Sequence, residues 1–172
     1  VSDTTPRPLA IEIANQFADV APVDLEAMAN AMSIRVNMNA NLPANISGKI
    51  TCRDSGRDSG RDAGGGKSYF IDVNASHSEN RKRFTLAHEI AHFMLHRHLM
   101  QGGITDNEMY RSGLSDQVEM EANRLAAELL MPARLVREYW RNGHRSYAQL
   151  ADIFGASPEA TRIRLNQLGY GA

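Results

Sequence analysis

The chain has a single cysteine, Cys52, so no intramolecular disulfide can form and the fold makes no call on an oxidising compartment. It also lacks an excess of either charge. Nineteen Lys and Arg against 20 Asp and Glu leave a formal −1, which gives no global attraction for nucleic acid or an anionic membrane. Nothing approaches the roughly 18 uninterrupted apolar residues of a membrane span, and the opening VSDTTPRP does not read as a signal peptide. These absences point to a cytoplasmic protein with no membrane partner and no direct hold on nucleic acid. What is present, 172 residues of which 42% are hydrophobic, suffices for one compact domain and is short for two. The expected organisation is therefore one domain, 1–172.

Apolar residues Leu9, Ile13, Ala14 and Phe17 recur at helical spacing behind Pro6 and Pro8, predicting a first helix from Leu9 to Ala18. Asp24 caps a second, Leu25 to Met32. Strands are expected at Ser33–Met38, Ile46–Thr51 and Tyr69–Val73, the last with Tyr69, Ile71 and Val73 on one face. Between the last two lies CRDSGRDSGRDAGGGK, without an apolar residue after the cysteine. Residues 53–67 of it are expected to be a mobile loop. Helices follow at Glu79–Leu99, Ser115–Leu130 and Pro132–Arg141. A C-terminal helical pair, Ser146–Phe154 and Pro158–Leu168, lies within 146–169 and stops at Gly155 and Gly169. Helices around a few strands, without βαβ alternation, make the expected class α+β.

His88-Glu89-Ile90-Ala91-His92 carries the chemistry. Residues four apart share a helix face, so both imidazoles can reach one ion, and the spacing suits zinc. Glu89, next to the first ligand, is placed to take a proton from a water activated by the ion and so to act as general base. Histidines packed or solvated on an ordinary helix are the plain alternative. Against it, the helix is apolar on several sides through Phe84, Leu86, Ala87, Ile90, Ala91, Phe93 and Leu95, and polar residues there need a reason.

A catalytic zinc takes three protein ligands and keeps one position open. His98 lies six residues past His92, as in the long metzincin motif, but Leu95 stands where that motif has its helix-breaking glycine. Six helical residues are about 600° of rotation, away from the His88 and His92 face. His96 is on the stripe but about 12 Å along the helix from His88. The next helix is the better source. Glu119 and Asn123, four apart, share a face, so Glu119 can ligate while Asn123 accepts a hydrogen bond from the second nitrogen of a ligating histidine. Glu121 is rotated about 200° from Glu119, so only one of the two can face the metal, and Glu119 is the expected ligand.

The run Arg81-Lys82-Arg83-Phe84-Thr85-Leu86-Ala87-His88-Glu89-Ile90-Ala91-His92, followed by Glu119-Met120-Glu121-Ala122-Asn123 and Leu129-Leu130-Met131-Pro132, resembles the ImmA/IrrE family of metallopeptidases. Weaker similarity extends through Pro22-Val23-Asp24-Leu25-Glu26 and Leu150 to Leu165, so nearly the whole chain is covered. The resemblance implies a zincin-like, gluzincin-type endopeptidase fold, a small twisted sheet packed on helices that include the HExxH helix. It implies His88, His92 and a glutamate of the ExEAN helix around Zn2+, with Glu89 as catalyst. It also implies a protein substrate, since some members cleave helix-turn-helix transcriptional repressors, here one encoded nearby. Two departures bear on control: the 53–67 segment is longer and more repetitive than the family pattern, and the chain has no room for the C-terminal sensor-like domain of radiation-response members.

An oxyanion formed during cleavage needs a second donor, for which Tyr110, His144, Arg145 and Tyr147 are available, unranked. The Tyr69–Val73 strand can either pair with an extended substrate or be an ordinary core strand. Cys52 is expected to be a packed strand residue, with an inhibitory thiol as the rival role. Two other classes compete. The C-terminal pair looks like a helix-turn-helix, with Arg145, Arg162 and Arg164 adding charge, but Thr161 and Arg164 stand where that motif wants apolar residues, and Ala160, Ile163 and Leu168 would face inward. A metal-dependent interaction module without catalysis is the other, and the presence of Glu89 speaks against it.

Overall fold

Seven helices and three strands make up the described part of a computed structural model, residues 8–54, 67–100 and 115–170. In order they are α1 (Pro8–Gln16), α2 (Leu25–Ala31), β1 (Ile34–Ala40), β2 (Gly48–Asp54), β3 (Lys67–Asn74), α3 (Glu79–Met100), α4 (Ser115–Leu130), α5 (Ala133–Arg141), α6 (Tyr147–Phe154) and α7 (Pro158–Gln167). The expected α+β class holds.

The sheet order is β1-β3-β2, with β3 parallel to β1 and antiparallel to β2. Period-two alternation turns Tyr69, Ile71 and Val73 inward, where Ile34 and Ile50 join them in the core with α2 and α3. Cys52 packs against the same core from β2. Because β3 is central, with β1 on one edge and β2 on the other, Tyr69–Val73 has no edge left for a substrate strand. Of the two roles open to this strand, that of a core strand is the one found. Among the described residues β2 pairs only with β3, so β2 is the strand with an open edge on that side.

The hairpin ladder reaches Arg53↔Ser68 and Asp54↔Lys67, so Arg53, Asp54 and Lys67 are strand residues and not loop. The Arg53 guanidinium lies 4.6 Å from the centre of the Phe70 ring, an anchor that a count of apolar residues does not register. The remainder of the expected loop, 55–66, lies outside the described residues.

Two inward faces differ from their expectation. On α1 it is Ala10 and Ala14 that are buried, while Leu9 is 68% exposed. On α7 Ile163 is exposed, and Thr161, Arg164 and Leu165 are buried. The polar atoms there find partners. Thr161 Oγ1 donates to Ser157 O (3.0 Å), and Arg164 donates from Nε to Met131 O (3.1 Å) while pairing with Glu128.

Polar hooks tie the C-terminal pair to the rest. Arg83 on α3 donates to Val23 O (2.9 Å), Gly155 O (3.2 Å) and Phe154 O (3.4 Å), a cation on the carbonyl end of α6. Asn80 donates to Ala156 O (3.0 Å). Gly155 closes α6 with φ +60°, the left-handed value that favours glycine.

Asn74, 2% exposed at the end of β3, fixes the segment that leads into β2. Its Nδ2 donates to the carbonyls of Leu42 (3.2 Å), Pro43 (3.1 Å) and Ile46 (2.8 Å), and its Oδ1 accepts from Ser76 N and Oγ. Asn74→Ala is expected to destabilise by about 2–3 kcal/mol in urea unfolding, since it orphans several buried groups at once. Asn74→Asp should be worse, because it turns a carboxylate oxygen toward three carbonyls. An aspartate variant as stable as the parent would refute this account of the loop.

Candidate metal centre

α3 has no clean amphipathic stripe because it is surrounded: Leu86, Ala87, Ile90, Ala91, Phe93 and Met94 are buried, and so are Glu89, His92 and His96. α4 packs along it with Ala122 and Ala126 fully buried, and these small residues let the two backbones approach. Glu119 is thereby brought onto the histidine stripe.

Its Oε2 lies 3.3 Å from His88 Nε2 and its Oε1 3.2 Å from His92 Nε2, with the two Nε2 atoms 2.9 Å apart. Tetrahedral zinc with bonds near 2.1 Å would hold its ligand atoms about 3.4 Å apart, and two imidazole nitrogens 2.9 Å from each other, each beside a different oxygen of one carboxylate, are a donor set of the kind zinc takes. The three side chains form a cluster able to hold a metal ion, with His92 buried and the other two partly so. Hydrogen bonds from His88 and then His92 hold the Glu119 carboxyl well below the usual carboxylate range, so it is an anion in the folded protein.

Behind the cluster, His88 Nδ1 is 3.0 Å from Asn123 Oδ1, one helical turn beyond Glu119. An amide oxygen only accepts, so His88 Nδ1 donates to it, and this bond turns Nε2 toward the cluster. Glu121 lies elsewhere. Its Oε2 is 3.2 Å from His96 Nε2, and its carboxyl is lowered by hydrogen bonds with Gln117 and then His96. His96, set aside on distance along the helix, is 1% exposed and touches the cluster from behind, its Nδ1 3.1 Å from His92 Nδ1. Burial lowers its pKa, against the opposing hydrogen bond to Glu121. The sequence signal for this was the third histidine at four-residue spacing.

Glu89 is 5% exposed and sits where α3 passes the start of β2. A Cβ on Gly48 would be 3.5 Å from Glu89 Oε1 and would run into Thr85 Cγ2, so only glycine lets the strand pass this close. His98 is exposed. Of the suggested oxyanion donors, His144 stacks on Tyr139 with centroids 5.5 Å apart, Tyr147 packs against the core, and Arg145 is exposed. Tyr110 lies outside the described residues.

Two histidines one turn apart, an intervening glutamate and a glutamate from the following helix, set on a small mixed sheet, are the parts of a metallopeptidase. The chain belongs to the Peptidase_M78 family: the model of its IrrE N-terminal-like domain matches residues 49–166, from β2 into α7. The ImmA/IrrE resemblance seen in the sequence is thereby shown. No curated protein matches the chain.

Gly48→Ala should cost about 1–3 kcal/mol of stability, the usual range for forcing a methyl into a filled space. Removing the obstructing methyl with Thr85→Ser in the same chain should recover most of it. If the double variant melts no higher than Gly48→Ala alone, the steric account of this crossing is wrong.

Proposed function

We propose that this protein is a zinc-dependent endopeptidase in which His88, His92 and Glu119 hold the ion and Glu89 is the catalytic base. The observation that carries the reading is the convergence of two imidazole nitrogens and one carboxylate, their ligand atoms within 4.8 Å of one another, with Glu89 adjoining the first histidine. Two imidazole nitrogens beside one carboxylate favour zinc over the oxygen-seeking ions. What such an ion supplies is Lewis acidity toward water and toward a carbonyl oxygen. Glu89 takes the proton of the attacking water and returns it to the departing amine. An extended substrate segment would align along the open edge of β2, whose first residue lies beside Glu89.

The substrate we propose is a cytoplasmic helix-turn-helix repressor, cut in a linker or frayed helix, since a cleft of this kind requires extended backbone and a packed domain withholds it. No helix among the described residues is long and apolar enough to cross a membrane, in keeping with such a partner. DNA binding by the α6–α7 pair is less well supported. Arg164 is spent on Met131 O and Glu128, and Arg162 pairs with Glu159 (2.7 Å), which leaves the exposed face of α7 without a free cationic row.

Glu89→Gln should retain zinc and lose cleavage by at least about 100-fold, the scale of a missing general base. His88→Ala and Glu119→Gln should lose bound zinc, and Glu121→Gln should keep it, as read by metal analysis after dialysis. Zinc lost from the Glu121 variant and kept by the Glu119 variant would reverse the assignment of the third ligand.

For the substrate, the zinc-loaded protein is to be incubated separately with the neighbouring helix-turn-helix regulator and with unfolded casein, and fragments followed by mass spectrometry. A discrete cut in the regulator is the expected result. Broad digestion of casein beside an intact regulator would leave a general peptidase and remove the regulatory role.

A further inference from the structure

Three cations open α3, and two of them are spent on the fold. Lys82 pairs with Glu79 (3.0 Å), and Arg83 donates to three backbone carbonyls. Arg81 is different. It is exposed, its Nη2 donates to the neutral hydroxyl of Ser47 (2.9 Å), and among the described residues no carboxylate lies against it. Ser47 is a firm post, since its carbonyl accepts from Asn74 N (2.9 Å). The residue after it is Gly48, which runs against Thr85 and Glu89.

The placement along α3 ties this guanidinium to the ion cluster. Seven residues separate Arg81 from His88, about 700° of helix, so the two share a face within about 20° and lie about 10.5 Å apart along the axis. Phe84 stands between them, its ring centre 6.3 Å from that of His88. β2 runs beside this strip in the direction of α3. Its start lies at Arg81 and Thr85, whereas Cys52 near its end pairs with Tyr69, whose ring packs on Phe93 (4.9 Å). A segment added to the open edge of β2 in the antiparallel sense, the stronger pairing per residue, therefore runs from the Asp54 end toward Ser47. It passes the ion cluster first and Arg81 afterwards. At about 3.4 Å per extended residue, the separation amounts to about three residues.

We propose that Arg81 is a specificity-determining residue that pairs with an acidic side chain, Asp or Glu, on the third residue after the bond that is cut. The proposal rests on the peptidase reading of the site and narrows its substrates to segments with an acidic residue at that place. The bond to Ser47 uses one nitrogen, leaves the rest of the guanidinium available, and reduces the rotamer freedom that an exposed arginine loses on binding. A Lys or Arg at the same place in a substrate meets a like charge and is rejected.

The zinc-loaded protein is to be incubated with a chymotryptic digest of a bacterial proteome and the cut sites read by mass spectrometry, with Asp and Glu expected to be enriched at the third position after the cut. In two peptides of the best-cut sequence, kcat/KM should favour Glu over Lys at that position by about 10-fold, the scale of attraction to one charge combined with repulsion of the other across a partly exposed contact. High salt should narrow the ratio. Arg81→Gln, which retains a donor for Ser47, should bring the ratio near one, and Arg81→Glu should invert it. Inversion is a gain for the Lys peptide, which a damaged fold does not produce. A second readout needs no turnover. In 1H–15N spectra of metal-free protein, the Arg81 Nε–H and the β2 amides should shift together on adding a blocked alanine octapeptide that carries one Glu, and the Arg81 signal should stay in place with its Lys counterpart. Cleavage without preference at the second to fourth positions, or an unchanged Glu preference in Arg81→Glu, would overturn the proposal and leave the peptidase reading intact. A zinc-loaded parent that cuts nothing would defeat the peptidase reading instead. The spectra then decide whether Arg81 takes an acidic segment, and an unmoved Arg81 signal overturns that as well.

Discussion

The close approach of α4 to α3 is the constraint on which the site depends. Ala122 and Ala126 on α4 are fully buried, and side chains this small let that helix lie close against α3. A glutamate side chain is short on the scale of two packed helices. Only with the axes this near can Glu119 reach two imidazoles, and Glu121 a third, from opposite flanks of the same helix. A larger residue at Ala122 or Ala126 would widen the seam and take both carboxylates out of reach together.

The same crowding explains why α3 carries so much polarity in so apolar a setting. Lys82, Thr85, Glu89, His92 and His96 are all buried on one helix, which simple burial energetics disfavours unless each group is answered. Lys82 meets Glu79, His92 meets His96 and Glu119, and His96 meets Glu121. The sheet contributes by position. Asn74 holds the approach to β2, and Gly48 lets that strand run against Thr85 and Glu89, so Glu89 and the His88–His92–Glu119 cluster are fixed by different parts of the core.

Much of this was legible in the chain, for identifiable reasons. Helix caps and breakers are local, and Asp24, Pro132, Pro158 and Gly155 located helix ends within a residue or two. The i, i+4 relation is likewise local, so His88 with His92, and Glu119 with Asn123, could be paired on paper. What escaped depended on packing between elements. Rotation by about 200° along α4 correctly separates Glu119 from Glu121, but it says nothing about a helix lying in a seam, where both flanks touch the neighbour. Distance along α3 put His96 out of reach of His88's ion without revealing that it would touch the ring of His92. The central place of β3 required knowing the sheet order, and the buried Arg164 required knowing that Met131 O and Glu128 await it.

The attachment of the C-terminal pair carries a consequence for handling the molecule. Arg83, which seats on the closing carbonyls of α6, is five residues before His88 on the same continuous helix, about 7.5 Å along its axis. The tail is therefore not a detachable module. A cut between α5 and α6 would strip the guanidinium of two of its three carbonyls and leave Met131 O without the arginine that answers it. Conversely, a tag, tether or fused domain attached after α7 pulls on a strut that leads to the first turns of α3, so load applied there is felt by the helix that carries His88 and His92.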